Sequence, residues 1–175
     1  MSDHWTIRPA RVEDALRLTE LAERTFRDAF GPLNTPSDIE SYCAGAFSQE
    51  IQLNEIRDPL ADTLVVENGN GLIAYAQLVR TAPPPCVVGT VPIELKRFYV
   101  LQTLHGAGLA PVLMDAITRC ASERGGDVLW LGVWEMNARA RRFYEKCGFR
   151  EVGEHRFVLG ADEQRDVVMA KPITA

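Results

Sequence analysis

Paired cysteines, an excess of basic residues and long apolar runs are all missing from this sequence. Its four cysteines, Cys43, Cys86, Cys120 and Cys147, are scattered with no C-x-x-C pair, so neither a zinc site nor a disulfide framework is indicated and no metal is expected. They read as reduced thiols, mostly buried. Lysine and arginine number 19 against 24 aspartates and glutamates, a formal net charge of -5, which argues against a dedicated nucleic-acid binder. A cationic partner suits that balance better. No apolar run approaches the roughly 20 residues of a membrane span, and the opening MSDHWTIRPARVEDA has no basic-then-apolar signal pattern. The expectation is a soluble, cytoplasmic protein that works on neither membrane nor nucleic acid. Internal repeats, linkers and low-complexity segments are absent too, and the length predicts one domain over residues 1–175 with a full core.

What is present reads as an alternation of helices and strands. HWTIRPA has the look of a first strand, and Leu18, Leu21, Ala22, Thr25, Phe26, Ala29 and Phe30 step by three and four, as a helix requires, before Gly31 and Pro32 end it. TPSDIESYCAGAF and SQEIQLNEI read as two short helices, each opened by a Thr or Ser near the cap position, together forming a helical flap. TLVVE, the turn NGNG and LIAYAQLVR form a hairpin, because Asn-Gly tolerates the positive φ of tight turns. APPP breaks the chain. VPIELKRFYV is the next strand, a helix runs from Gly108 to Arg124, DVLWLGV has buried-strand character, NARARRFYEKCG is a basic helix, and FREVGEHRFVLG with QRDVVMAKPI closes as a hairpin about GADE. One strand-helix-strand unit lies in the middle, which predicts an α/β (α+β) mixed sheet with helices on both faces.

The stretch LHGAGLAPVLMDAITRC sets glycines where a helix begins. Leu109, Leu113, Ala116, Ile117 and Cys120 form its apolar stripe, and Pro111 falls in the first turn, where a missing N–H costs nothing. The first N–H groups of a helix lack partners and the dipole adds about half a positive charge, so an anion is the natural occupant. Gly106, Ala107, Gly108 and Ala110 would let phosphate oxygens reach the backbone; equally, the glycines could simply shape a tight turn. Pro111 and Val112 stand where a third glycine would be, disfavouring a dinucleotide fingerprint, and no Gly-Lys-Ser/Thr follows, which excludes a P-loop.

ELKRFYVLQTLHGAGLAPVLM resembles the acetyl-CoA signature of the GNAT superfamily of N-acetyltransferases, whose Gln/Arg-x-x-Gly-x-Gly/Ala falls on His105-x-x-Gly108-x-Ala110, with His105 departing from the usual Gln or Arg. WEMNARARRFYEKCGF matches that family's Asn-x-x-Ala-x-x-x-Tyr-x-x-x-Gly-Phe on Asn137, Ala140, Tyr144, Gly148 and Phe149. The resemblance covers roughly Glu94 to Phe149. It implies a central mixed, mostly antiparallel sheet of about seven strands with helices on both faces, acetyl-CoA as co-substrate, and direct transfer of acetyl to an amine. By the same resemblance the loop of His105, Gly106, Ala107, Gly108, Leu109 and Ala110 would hold the pyrophosphate. Phe98, Tyr99 and Val100 would pair with the pantetheine arm, and an N–H near Phe98 or Val100 would polarise the thioester carbonyl. Asn137, Ala140, Tyr144 and Lys146 would complete the cofactor site.

Tyr144 is the implied general acid, protonated at neutral pH because a phenol titrates near roughly 10. It could instead be only a core aromatic. Glu94 sits where some family members carry a general base, or it is a strand carboxylate paired with Lys96 or Arg97. Arg139, Arg141, Arg142 and Lys146 form either a solvated face or a contact for the CoA 3'-phosphate. His4 and His155 carry no usable pattern.

For the acceptor, TFRDAFGPLNTPSDIESY with HRFVLGADEQRDVVMAK is similar to the bacterial spermidine/spermine N-acetyltransferase branch. A polyamine needs carboxylates or aromatic faces, and Asp28, Asp38, Glu40, Tyr42 and Asp162 are candidates. An amino acid, a drug or a protein lysine as acceptor, a CoA-binding module without turnover, a nucleotide-binding regulator, and a homodimer all stay open.

Overall fold

The computed structural model describes residues 4–173. Strand β1 (Thr6–Pro9) leads into α1 (Ala15–Phe30), then α2 (Pro36–Ala46) and α3 (Gln49–Arg57). The hairpin β2 (Ala61–Asn68) and β3 (Gly71–Val79) precedes β4 (Pro92–Val100), α4 (Leu109–Glu123), β5 (Val128–Trp134), α5 (Ala138–Lys146) and the hairpin β6 (Arg150–Leu159) and β7 (Asp162–Pro172). The caps follow the sequence: the Thr35 hydroxyl accepts from Asp38 N–H and that of Ser48 from Ile51 N–H, satisfying helix N–H groups that would otherwise lack partners.

The seven strands form one sheet in the order β1-β2-β3-β4-β5-β7-β6. Every neighbouring pair is antiparallel except β4 and β5, whose parallel pairing covers only Pro92 to Glu94 against Val128 to Trp130. Beyond Glu94 the two strands part. A bulge in β4 adds to the divergence: Gln77 opposes Arg97 and Leu78 opposes Leu95, leaving Lys96 unmatched. The alternation of faces shifts by one there. Ile93 and Leu95 before the bulge, and Phe98 and Val100 after it, pack into the core shared with α4, whereas Lys96 and Arg97 both reach Glu55 of α3 on the other face.

Helices cover both faces, as expected. Leu113, Met114 and Ile117 of α4, with Phe149, fill one core; Leu18, Leu21, Phe26 and Ile39 of α1 and α2 fill the other, against Val65 and Tyr75. Two details differ from the sequence reading. The buried stripe of α4 is Leu109, Leu113, Met114, Ile117 and Ala121, with Ala116 and Cys120 half-buried, because the helix lies with its Met114 edge turned further toward the sheet. Of the cysteines only Cys43 is buried; Cys86, Cys120 and Cys147 are half-buried, lying at the margins of the cores.

A charge cluster fixes the start of α1. Arg8 donates to Asp14 at 2.6 and 3.0 Å and to Glu67 at 2.8 and 2.9 Å, and Asp14 also accepts from Arg11 N–H at 2.8 Å. Asp14 is buried, and the Arg8 guanidinium holds its carboxyl well below the usual carboxylate range. Asp14→Ala leaves Arg8 without its main partner and is expected to cost about 3 kcal/mol of stability at neutral pH. The folded pKa lies below the unfolded one, so this contribution is full above about pH 4 and fades as pH falls below it. Urea unfolding should therefore show the gap between variant and parent narrowing on acidification.

The flap is tied across the sheet to the last hairpin. Asp38 accepts from the Ala161 N–H at 2.9 Å in the β6–β7 turn, and Gln164 donates to Asn34 at 2.6 Å. Thr35 donates to the second oxygen of Asp38 at 2.7 Å.

Candidate active site

The gap between β4 and β5 opens into a cleft of about 800 Å³. On one face it is bordered by the β4–α4 loop and by Ala140, Phe143 and Tyr144 of α5; on the other by α1, Tyr42, Phe157 and Asp166. The cleft thus runs through the sheet, and two molecules can enter it from opposite faces.

At the first end stands the N-terminus of α4. Gly106 and Gly108 have φ of 85° and 83°, the left-handed region that favours glycine. Gly108 takes the N-cap position without a side chain to cap the helix, and beyond the adjoining residues no atom of the described residues lies within 4 Å of where a Cβ would sit on either glycine. The two readings of these glycines are therefore compatible: the turn requires them, and they leave the positive end of α4 bare for an anion. Ala110 and Pro111 line the cleft beside them, whereas Leu109 is buried beneath and Ala107 stands outside the lining. His105 turns away from the helix end, its Nε2 lying 2.9 Å from the Val100 carbonyl oxygen, and burial pushes its pKa down. Nε2 must carry the proton in that contact, since a carbonyl only accepts.

Asn137 caps α5, its Oδ1 accepting from Ala140 N–H at 3.1 Å. That cap holds the helix so that Tyr144 reaches the cleft, its ring edge-on to Phe98 at 6.4 Å and to Phe149 at 5.7 Å between centroids. Burial among these rings pushes the phenol well above its ordinary pKa, which keeps it a proton donor. Lys146 and Arg139 line the same end, while Arg141 is engaged with Glu151 at 3.2 Å. Phe98 and Val100 pack toward this face; Tyr99 points to the other and stacks on Tyr75 at 5.7 Å.

Glu94 is the last residue of β4 paired with β5, opposite Trp130, where those two strands begin to separate. Its Oε2 accepts from Thr81 at 2.6 Å. Neither cation suggested by the sequence pairs with it: Lys96 lies 3.1 Å from Glu55, and Arg97, 8% exposed, is bound to Glu55 and sits 5.3 Å from the Phe47 ring centroid. Burial opposes ionisation of Glu55, but Arg97 and Lys96 outweigh it and hold its pKa low. This cluster had no local signature, because Glu55 and Arg97 are distant in sequence and the bulge at Lys96 breaks the strand's alternation.

The far end is aromatic and acidic. Phe26 stacks on Phe30 at 4.5 Å and on Tyr42 at 4.3 Å, Phe30 meets Trp134 at 5.7 Å, and Tyr42 meets Phe157 at 5.5 Å. Of the acceptor candidates, Asp28 and Tyr42 line the cleft. The others are used structurally: Asp38 pins the flap, Glu40 binds Arg27 at 2.7 Å, and Asp162 accepts from Gln164 at 2.8 Å. His155 and Asp166, unmarked by any motif, do line it.

Two parting parallel strands with a bare helix N-terminus at their mouth define the class: an N-acetyltransferase that draws on acetyl-CoA. Residues 17–149 match the acetyltransferase (GNAT) family. The chain is 33% identical over 162 residues to an uncharacterized N-acetyltransferase of Mycobacterium tuberculosis, covering 93% of this chain and 99% of that one. It is 28% identical to another from Lactobacillus delbrueckii subsp. lactis, over 92% of this chain and 93% of the relative. Its fold is similar to that of the PaiA N-acetyltransferase of Thermoplasma acidophilum, solved in complex with coenzyme A, with a TM-score of 0.78 at 21% identity over 97% of this chain and 99% of that one. The chain belongs to the GNAT family of acetyltransferases and is an acetyl-CoA-dependent N-acetyltransferase.

Proposed function

We propose that the protein acetylates a cationic aliphatic amine, with polyamines such as spermidine and spermine as the leading substrates. The observation that supports this most is the polarity of the cleft, a bare helix N-terminus at one end and carboxylates set among aromatic faces at the other. Acetyl-CoA supplies an activated thioester. Of the loop from His105 to Ala110, the N–H groups of His105 and Ala107 are spent on Gln102 and Leu104 within the turn, so those of Gly106, Gly108, Leu109 and Ala110 hold the pyrophosphate. Lys146 or Arg139 meets further phosphate, and the backbone of Phe98 to Val100 lines the slot for the arm, an N–H there polarising the thioester carbonyl.

The acceptor comes from the flap side. An aliphatic ammonium titrates near roughly 10, so it must lose a proton before attack. Glu94 takes that proton through a water, its carboxylate oriented by the Thr81 hydroxyl. The new C–N bond forms as the C–S bond breaks, Tyr144 donates its phenolic proton to the departing thiolate, and the proton that the acylated nitrogen then releases restores the phenol through water. The thiols of Cys43, Cys120 and Cys147 are pushed up by burial, which suits bystanders rather than nucleophiles. Free thiols also suit the reducing cytoplasm.

Release of CoA thiol from acetyl-CoA tests the proposal, with spermidine and spermine beside single amino acids, an aminoglycoside and a lysine peptide. Saturable turnover with the polyamines at the highest kcat/KM is expected. A higher kcat/KM for an amino acid or the peptide would overturn the polyamine assignment.

A further inference from the structure

Asp166 is a buried carboxyl group that burial pushes up in pKa and whose one cationic neighbour among the described residues, His155, stands off at 3.7 Å. It lies on β7, opposite His155 of β6 and Trp134 of β5, and is only 8% exposed. Its Oδ1 is buried without a hydrogen-bond partner among the described residues, and its Oδ2 is 3.7 Å from His155 Nε2, too long for a hydrogen bond. The cations on the same face are committed elsewhere, Lys96 and Arg97 to Glu55 of α3, and Arg165, next along β7, points to the opposite face and binds Glu135 and Glu154. Buried carboxylates are normally paired, and because this one borders the cleft its missing partner can come from outside the chain.

Its surroundings define that partner. The carboxylate borders the cleft together with Phe30, Tyr42, Trp134 and Phe157, whose faces suit methylene groups and the cations attached to them. Gly132 of β5 makes room for it: a Cβ there would come within 2.6 Å of His155 Nε2 and 3.2 Å of Asp166 Oδ2. An anion also dictates which nitrogen it can bind. A carboxylate favours the protonated form of an amine beside it, which is the opposite of what the attacking nitrogen needs.

We propose that Asp166 anchors a second, non-reacting ammonium group of the acceptor, so that the site selects di- and polycationic amines over monoamines. The proposal rests on the acetyl-transfer reading for the reacting nitrogen, but the anchor binds charge whether or not turnover follows. Asp166 is then a specificity residue, separate from Glu94 and Tyr144. Its ammonium partner approaches the edge of the carboxyl group that borders the cleft, and His155 stays as the lateral neighbour.

The test is a calorimetric titration of the full chain, in the presence of CoA, with putrescine and with n-butylamine. A charge-assisted contact of this kind corresponds to about 10- to 100-fold in affinity, so the parent protein should prefer the diamine by that factor. Asp166→Asn should bring the ratio close to one by weakening putrescine far more than n-butylamine, with affinity for CoA unchanged. Gly132→Ala, which crowds the carboxylate, should lower the ratio in the same direction. No preference in the parent, or an undiminished preference in Asp166→Asn, overturns the anchor. Thiol release measured beside the titration separates the two readings. A diamine preference that depends on Asp166, without turnover of any amine, keeps the anchor and discards the proposed polyamine acetylation; turnover with an unchanged ratio in Asp166→Asn does the reverse.

Discussion

Replacing Tyr144 by Phe is expected to lower the maximal rate of acetyl transfer by about 100- to 1,000-fold, the range a positioned general acid supplies, with little change in the affinity for acetyl-CoA. The ring is held by edge contacts with Phe98 and Phe149 and tilts against Phe143, and phenylalanine keeps all three. What is lost is the one O–H, whose proton burial keeps in place. The substitution therefore separates the acid role from the packing role. If Tyr144 were only a core aromatic, kcat would stay within a few-fold of the parent. Steady-state kinetics with saturating acetyl-CoA decide between them, and kcat rather than KM should carry the change.

Gly108→Val is expected to act on the other parameter, raising the KM for acetyl-CoA by about 100-fold. Two costs add. A β-branched residue at φ 83° is strained by about 1–2 kcal/mol, and its side chain would project into the space at the α4 N-terminus that the glycine leaves clear of protein atoms. Strain alone would destabilise the fold without touching the cofactor. Gly71→Val in the β2–β3 turn is the control, because Gly71 also has positive φ, 120°, and open space but lies away from the cleft. A lowered thermal midpoint with unchanged KM is expected for Gly71→Val, and both effects for Gly108→Val. Equal KM in the two variants would mean that the glycines serve the turn alone.

The parts of this site that were legible in the sequence are those made by local chain geometry. A glycine turn running into an amphipathic helix marks a bare helix N-terminus, which is what Gly106 and Gly108 form, and Asn137 three residues before Ala140 marks an N-cap, which is what it forms. The order of strands and helices followed from periodicity and turn residues for the same reason. What the sequence left hidden depends on tertiary register. The bulge at Lys96 turns two consecutive cations to one face, so Glu94 loses the partners its neighbours suggested and Glu55 gains them. Asp166 and His155 meet only because β6 and β7 pair in one register beside Gly132. Asp38 looked like an acceptor contact because acidity is visible in a sequence, yet its hydrogen bond runs to Ala161, 123 residues away along the chain.

In the proposed mechanism both substrates occupy one cleft through the sheet and the amine attacks the thioester directly. A two-substrate initial-rate matrix, varying acetyl-CoA at several fixed concentrations of spermidine, tests it most simply. Reciprocal plots that intersect are the expected result, since both molecules must be bound before any bond changes. Parallel lines would contradict the claim, because they require CoA to leave before the amine enters and hence an acetyl group carried covalently by the protein.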